Sequence, residues 1–206
     1  MSVLIIDYGM GNLGSVRRAF EECGGDVVIS DNPEDIKSAA HLVLPGVGAF
    51  GDGIANLKQG GWIQAIKDGV ENDGLPFLGI CLGMQLLGDK GFEGGEFSGL
   101  GLISGEVKRL VPQDKNERIP HIGWNELYPT QNCPLFVGTT PKTDFYFVHS
   151  YHFSPKDPAH IIAETPYCGR FVSAIARGKI FGVQFHPEKS GEAGLKLLKN
   201  FLDWRP

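Results

Sequence analysis

The stretch LPFLGICLGMQLL, from Leu75 to Leu87, places one cysteine between two glycines and between two apolar runs. The run before the cysteine is typical of a buried strand, and the run after it is compatible with a helix. A strand, a sharp turn and a helix with a nucleophile at the turn form a nucleophile elbow, here with Cys81 in place of serine. Gly79 and Gly83 fit this geometry, because the residues two before and two after the nucleophile approach closely and a Cβ would clash. The stretch therefore predicts an α/β fold with Cys81 as a candidate nucleophile.

The helix after Cys81 gives the predicted turn two chemical properties. Its N-terminus lies beside the sulfur and favours the thiolate over the thiol. It also leaves the backbone N–H of Leu82 available to stabilise an oxyanion. The alternative is that Cys81 is a core residue, since cysteine is among the most buried residue types.

A second segment, GVQFHPE from Gly182 to Glu188, supplies a base and a carboxylate. Its apolar residues predict a strand that ends near Pro187, because proline cannot donate to a strand ladder. In extended chain His186 and Glu188 would lie on one side, so the carboxylate could hold Nδ1–H and leave Nε2 free as a base. Cys81, His186 and Glu188 are therefore candidate catalytic residues. The alternatives are a strand-end histidine with ordinary hydrogen bonds and a solvated loop acid.

A third segment is the glycine-rich PGVGAFG that begins at Pro45, where a predicted strand ends. Glycines at a strand end allow backbone N–H groups to point into a cleft. The region of Val47 is thus a candidate second oxyanion donor, opposite Leu82. Taken alone, the segment is equally typical of a plain β–α loop, and it contains no phosphate-binding G-x-x-x-x-G-K-[ST] pattern.

Strands that alternate with helices in the first half predict right-handed crossovers and a largely parallel sheet. The second half is richer in glycine and predicts shorter, mostly antiparallel strands, followed by a last helix. We expect one domain over residues 1–206. The predicted strands are Val3–Asp7, Asp26–Ser30, one that ends at Pro45, the elbow strand, Leu102–Ile103, Glu106–Val111, Phe145–Val148, His160–Ala163 and Phe171–Ala176. The predicted helices run from the cap Asn12 to Cys23, from the cap Asp31 or Asn32 through Ala40, from Trp62 to Asn72 and from Ser190 to Trp204.

Composition excludes several classes of function. The chain has 206 residues, a net charge of −5, 42% hydrophobic and 21% charged residues. The mild acidity argues against a nucleic-acid partner, and no apolar stretch approaches the roughly 20 residues of a membrane helix. None of the four cysteines forms a C-x-x-C pair and no H-E-x-x-H occurs, so we predict no metal and no cofactor. Free cysteines and an N-terminus without a basic leader predict a reducing, cytoplasmic location.

The residues from Gly79 to Gln85, together with His186-Pro187-Glu188, resemble the class I glutamine amidotransferases, which hydrolyse glutamine with a catalytic triad. Four further segments are similar to the glutaminase subunits of imidazole glycerol phosphate synthases. They are DYGMGNL from Asp7, PGVGAF from Pro45, HIGWN from His121 and FVHSYH from Phe147. The resemblance implies a flavodoxin-like central sheet, largely parallel and flanked by helices, with a smaller antiparallel sheet.

The resemblance also implies an activity, a partner and further site residues. The ammonia released from glutamine would pass to a cyclase subunit, in a heterodimer that makes imidazole glycerol phosphate and AICAR in histidine biosynthesis. Residues implied in binding glutamine are Gly46, Gln85, Ser150 and Tyr151, and residues implied at the cyclase interface are Asn12, Trp124 and Asn125. Without the resemblance, Gln85 could be an exposed helix residue and Trp124 a core residue. Other functions left open are a glutaminase subunit of pyridoxal phosphate synthase, a cysteine peptidase and a non-catalytic module of the same fold.

Overall fold

Two β-sheets organise residues 2–204, the part of the chain that the computed structural model describes. The strands are β1 (Ser2–Ile6), β2 (Asp26–Ser30), β3 (His41–Gly46), β4 (Phe77–Cys81), β5 (Lys90–Gly91), β6 (Phe97–Ser98), β7 (Gly105–Arg109), β8 (His121–Pro129), β9 (Thr143–His149), β10 (Tyr151–Pro155), β11 (Ile161–Thr165), β12 (Phe171–Arg177) and β13 (Ile180–Val183). The α-helices are α1 (Leu13–Glu22), α2 (Phe50–Gln59), α3 (Trp62–Lys67), α4 (Leu82–Gln85) and α5 (Gly191–Asp203).

The large sheet has the strand order β2-β1-β3-β4-β13-β12-β11-β8-β9. The first five of these strands are parallel, and the pairs from β13 to β9 are antiparallel. The small sheet has the order β10-β7-β5-β6 and is antiparallel except for the pair β5–β7. The predicted architecture, a mixed α/β sheet with a smaller second sheet, is confirmed.

Helices cover both faces of the central parallel strands, which is why β1, β3, β4 and β13 are buried at almost every position. Alternate residues of β1 point to opposite faces: Ile5 joins a core cluster with Phe20 of α1 and Phe201 of α5. Ile6 joins a second cluster with Trp62 of α3. Two cores therefore clamp the parallel strands from both sides and fix the strand ends that carry the site.

The position of β4 assembles the site. It lies between β3 and β13, with Gly46 of β3 in register with Cys81, the last residue of β4. On its other side Val183, the last residue of β13, pairs with Ile80. The loop after β3 and the segment after β13 therefore flank Cys81 at the carboxyl ends of parallel strands, where ligands bind in such sheets.

Several local predictions are confirmed. The second strand has the predicted bounds, and Asn12 caps α1 by accepting a hydrogen bond from the Ser15 N–H. Asn32 caps the short helix predicted after it, which is a 3₁₀ helix over Pro33–Ser38 and ends before the predicted Ala40. The helix predicted from Trp62 to Asn72 is α3 continued by a π-helical turn. These signals are local, so the sequence carries them directly.

Other predictions are wrong. Leu102 and Ile103 are buried but form no strand; both backbone N–H groups donate instead to the Leu87 carbonyl. The strand expected to run to about Pro187 ends at Val183, and the elements β5, β6, β8, β10 and α2 were not anticipated. The small sheet also contains a parallel pair, because β5 and β7 are joined by a crossover and not by a hairpin. The expectation of a single domain over residues 1–206 stays a prediction.

Candidate active site

Cys81 occupies a strained turn between β4 and α4. Its φ of 54° and ψ of −109° lie outside the regions usual for L-residues. A Cβ on Gly79 would lie 2.5 Å from the Gly83 carbonyl oxygen, as the elbow geometry predicts. A Cβ on Gly83 would overlap the Leu44 carbonyl of β3. Both glycines are therefore required for the chain to turn here and present the sulfur.

His186 and Glu188 form a buried hydrogen-bonded pair, with Nδ1 and Oε1 2.8 Å apart. The reason predicted for this contact is wrong, because the segment is not extended: Pro187–Lys189 is a 3₁₀ turn that begins directly after His186. The Ser190 hydroxyl donates to the His186 carbonyl at 2.7 Å, and the His186 N–H donates to the Tyr146 carbonyl at 2.9 Å. The turn and these two hydrogen bonds fix the backbone of His186 and thereby the position of its imidazole.

The charge on His186 is set by its neighbours. Burial lowers the pKa of the imidazole, but the nearby Cys81 and the hydrogen-bonded Glu188 raise it, and the balance is a pKa of about 9. Nε2 is buried and has no hydrogen-bond partner among residues 2–204. With Nδ1 held by Glu188, Nε2 is the nitrogen that serves Cys81. At neutral pH the ring is an imidazolium, which can donate a proton to a leaving group.

A cleft of about 450 Å³ opens beside the elbow. Six of the residues singled out from the sequence line it together: Val47, Cys81, Leu82, Gln85, Ser150 and Tyr151. Gly46 lies behind this wall. It is buried, and the Tyr8 hydroxyl occupies the place that a side chain at position 46 would take. Gly46 can therefore serve a ligand only through its backbone.

The loop after β3 carries Val47 at the cleft with 45% of its surface exposed. Gly48 has a φ of +109°, and a Cβ there would lie 2.7 Å from the Met10 methyl carbon. The Met10 side chain could move aside, but the positive φ favours glycine at this position. The orientation of the backbone N–H groups in this loop thus depends on Gly48. Leu82 begins α4, so its N–H has no acceptor within the helix.

Gln85 is buried, so its interpretation as an exposed helix residue is wrong. Its Nε2 donates to the Tyr151 carbonyl and to Oε1 of Gln184, each at 3.0 Å. Gln184 in turn points Nε2 at the Cys81 sulfur at 3.7 Å. Gln184 was not assigned from the sequence. The available signal was a fully buried amide in an apolar run, which requires hydrogen-bond partners inside the protein.

The three residues implied at a partner interface differ in their environments. Trp124 on β8 is 58% exposed and meets Tyr146 edge to face, so its interpretation as a core residue is wrong. Asn12 is exposed at the start of α1. Asn125 is half-buried and donates inward to the Pro166 carbonyl at 3.2 Å. Trp124 and Asn12 are therefore exposed, and Asn125 is half-buried and hydrogen-bonded within the fold; the interface role of all three stays a prediction.

Two further cleft residues were not assigned from the sequence. Glu93 lines the cleft and accepts a hydrogen bond from the Phe50 N–H at 2.9 Å, which caps α2. His149 lines the cleft from the end of β9. Within residues 2–204 we find no cluster of three His, Cys, Asp or Glu side chains that could hold a metal ion. No helix in that range is long and apolar enough to cross a membrane.

Comparisons with known proteins place this geometry in context. A family model described as glutamine amidotransferase class-I matches residues 4–204. Imidazole glycerol phosphate synthase subunit HisH 1 of Campylobacter jejuni (strain RM1221) is 48% identical over 200 residues, covering 97% of this chain and 98% of the relative. Subunit HisH of Moorella thermoacetica is 49% identical over 199 residues, covering 97% and 93%. The solved structure of PurLQS from Thermotoga maritima has a TM-score of 0.76 at 18% identity, covering 98% of this chain and 97% of that one, and is similar in fold.

Proposed function

Because this chain belongs to the class I glutamine amidotransferases, and within them to the HisH subunits of imidazole glycerol phosphate synthase, we propose that it hydrolyses glutamine at Cys81 and delivers the ammonia to a cyclase subunit in histidine biosynthesis. The chain is an enzyme, a glutamine amidotransferase. The observation that carries the proposed chemistry is the strained elbow of Cys81 beside the buried His186–Glu188 pair. A binding module without catalysis would have no need of this arrangement.

In the proposed reaction, the Cys81 proton already resides on His186 before attack, and the sulfur attacks the side-chain amide carbon of glutamine as the thiolate. The tetrahedral oxyanion accepts hydrogen bonds from the backbone N–H groups of Leu82 and the Val47 loop. The His186 imidazolium then gives its proton to the departing nitrogen, which leaves as ammonia, and a thioester remains. Neutral His186 then takes a proton from water, the resulting hydroxide attacks the thioester carbon to give glutamate, and the sulfur leaves as the thiolate beside the imidazolium again. Within residues 2–204, the one side-chain hydrogen bond of Glu188 is to His186, so Glu188 acts as its orienting partner.

The substrate side of the cleft has complementary groups. Gln85, Ser150 and Tyr151 line the cleft together with the Val47 loop and are the proposed contacts of glutamine, as is the backbone of the buried Gly46. The cleft is open, so binding depends on these polar groups and not on apolar enclosure. No cofactor takes part in this chemistry.

The proposed cyclase partner is supported by the names of the HisH relatives and by the exposed face that carries Trp124. Ammonia is useful only if it reaches a second active site before it escapes to water, so we propose a docked heterodimer. We also propose that the pair works in the cytoplasm. A glutaminase of pyridoxal phosphate synthase is not favoured, because the similar chains named here are HisH subunits.

The test of the proposed chemistry is glutamate release by the purified chain together with its cyclase subunit. Cys81→Ser should lose glutaminase activity by several orders of magnitude and keep its fold by circular dichroism. Cys133→Ser is the matched control, because burial raises the pKa of that thiol and it lies outside the cleft. Limited alkylation with iodoacetamide should label mainly Cys81. Activity that survives Cys81→Ser, or peptide cleavage without glutamine hydrolysis, would contradict the assignment.

A further inference from the structure

A buried chain of hydrogen bonds runs from β8 to the wall of the cleft. Asn125 Nδ2 lies 3.1 Å from His121 Nε2, and His121 Nδ1 lies 3.0 Å from His149 Nε2. His149 Nδ1 lies 2.8 Å from the Tyr151 carbonyl oxygen. Both histidines are buried: His121 is 3% exposed and His149 is 6% exposed. We call these three side chains and the Tyr151 carbonyl the histidine chain.

The backbone fixes the direction of every bond in the histidine chain. A carbonyl oxygen can only accept, so His149 Nδ1 carries the proton and, in the neutral ring, Nε2 accepts. His121 must then donate through Nδ1 and accept through Nε2 from Asn125. One arrangement of protons therefore satisfies all three bonds.

The outer end of the histidine chain is fixed in the same way. Asn125 Nδ2 also donates to the Pro166 carbonyl, and Oδ1 accepts from the Glu126 N–H at 2.8 Å. These two backbone partners determine which way the amide faces. The donor that Asn125 offers to His121 is thus fixed by two backbone groups, the Pro166 carbonyl and the Glu126 N–H.

Both histidines are neutral at pH 7. Burial lowers the pKa of His121 to about 4. Burial also lowers the pKa of His149, to about 3. The hydrogen bond to the Tyr151 carbonyl raises this pKa, whereas the neighbouring His121, His152 and His186 lower it further. Neutral rings are the state that the directed bonds require, so geometry and electrostatics agree.

The inner end of the histidine chain meets the substrate wall. The Tyr151 carbonyl that accepts from His149 also accepts from Gln85 Nε2. The second N–H of that amide donates to Gln184. Gln85 Oε1 accepts no hydrogen bond from residues 2–204, and Gln85 lines the cleft. The Gln85 amide is therefore held in the orientation that offers an acceptor oxygen to a ligand N–H.

We propose that His149 and His121 are positioning residues for glutamine binding: they hold the Tyr151 carbonyl, and through it the Gln85 amide, in the orientation that accepts an N–H of the substrate. The inference rests on the proposed glutaminase function. It gives the strand that carries Trp124 a continuous hydrogen-bonded connection to the substrate wall. The competing explanation is that the two rings only fill the core, where His121 stacks on Tyr167 with ring centroids 4.0 Å apart.

The first test compares two substitutions of His149 in the complete complex. His149→Asn keeps a donor at the position of Nδ1, because the histidine Nδ1 and the asparagine Nδ2 are each bonded to Cγ. His149→Leu removes this donor. The unsatisfied buried carbonyl should let Gln85 turn, and a lost buried partner corresponds to about a tenfold effect. We expect His149→Leu to raise the KM for glutamine about tenfold with kcat within about threefold. His149→Asn should restore KM to within about threefold of the wild type.

The second test uses His121 and remains available if His149→Leu does not fold. His121→Asn keeps the donor to His149 and gives up Asn125, whereas His121→Phe keeps the stacking on Tyr167 and gives up both bonds. We expect KM for glutamine to rise in His121→Phe and to stay near the wild-type value in His121→Asn.

The outcomes separate the two proposals. A role in packing alone would lower the amount of active enzyme, and so Vmax, while KM stayed constant. Constant KM in folded His149→Leu or His121→Phe, or equal KM values for the members of each pair, would overturn the positioning role while the wild type still hydrolyses glutamine. A wild-type complex that releases no glutamate would instead overturn the glutaminase function and this inference with it.

Discussion

Glu188→Gln removes one negative charge from the site and leaves an oxygen that can still accept the His186 Nδ1–H. The wild-type bond is 2.8 Å long and buried, and the ring pKa of about 9 lies well above the ordinary 6.5. That difference corresponds to roughly 3 kcal/mol of net preference for the imidazolium, supplied by Cys81 and Glu188 together against burial.

The neutral amide keeps a hydrogen bond but loses its charge assistance, a difference of about 1–1.5 kcal/mol, or about tenfold in rate. We therefore expect kcat/KM for glutamine to fall about tenfold, far less than in His186→Ala, which removes the base itself. The pH profile should move as well. The pair loses its proton as pH rises through about 9, so the alkaline limb should begin near there and shift down by about one pH unit in Glu188→Gln.

The assay is coupled detection of glutamate from pH 6 to 10 with the cyclase and its ligand present. The pH profile is taken from kcat/KM, because its pH dependence reports the pKa values of the enzyme before glutamine binds. Full activity in Glu188→Gln would remove Glu188 from the triad. A loss equal to that of His186→Ala would show that its charge is directly required. An alkaline limb that does not move would contradict the argument that Glu188 supports the imidazolium.

Three other features of the structure yield predictions. Gly48→Ala should lower glutaminase activity about 10²-fold by misplacing an oxyanion donor. Gly24→Ala is the control and should keep its activity, because Gly24 also has a positive φ but lies in open space and remote from the cleft. Glutamate assays run in parallel compare the two variants. Trp124→Ala should weaken binding of the cyclase in titration calorimetry while ammonium-dependent synthesis persists, since Trp124 is 58% exposed. His149 takes up a proton more readily in the unfolded chain than when buried, so its contribution to stability is lost as pH falls below 6.5. Between pH 7 and 5, the free energy of unfolding measured in urea should therefore fall by about 2 kcal/mol less in His149→Asn than in the wild type. Equal activity of the two glycine variants, unchanged affinity or an unchanged pH difference would contradict these predictions in turn.

The elbow and the helix caps could be predicted because their causes are local. Gly79 and Gly83 are fixed by contacts within a few residues of Cys81 or with the adjacent strand, and Asn12 caps the helix that follows it directly. The match of these residue types to their geometry is visible in the sequence alone.

Helix α2 could not be predicted because it begins with glycines that disfavour helices. A Cβ on Gly51 would lie 2.7 Å from the Phe97 ring, and one on Gly53 would lie 3.2 Å from Leu86. Tertiary packing thus selects glycine at positions where helix propensity argues against it. Glycine occurs at these two positions because a neighbouring element packs closely there, so its presence gives no indication of a helix.

Strand β8 was missed for a related reason. His121 and Asn125 are polar residues at inward positions, which hides the alternation of apolar and polar residues expected for a half-buried strand. Their partners are His149 and the Pro166 carbonyl, far away in the sequence. The same holds for Gln184, whose partner Gln85 lies on another element. Buried polar networks of this kind become recognisable only when the strands are placed side by side.

The most direct measurement of the central claim uses the complex of the Cys81→Ala chain with its cyclase subunit. Formation of imidazole glycerol phosphate is followed at alkaline pH with either glutamine or an ammonium salt as the nitrogen source. If Cys81 serves only to release ammonia for the partner, synthesis should continue with ammonium at the wild-type rate and stop with glutamine. Synthesis from glutamine in the Cys81→Ala complex, or no synthesis from ammonium, would contradict the claim that this chain generates ammonia at Cys81 and delivers it to a docked cyclase.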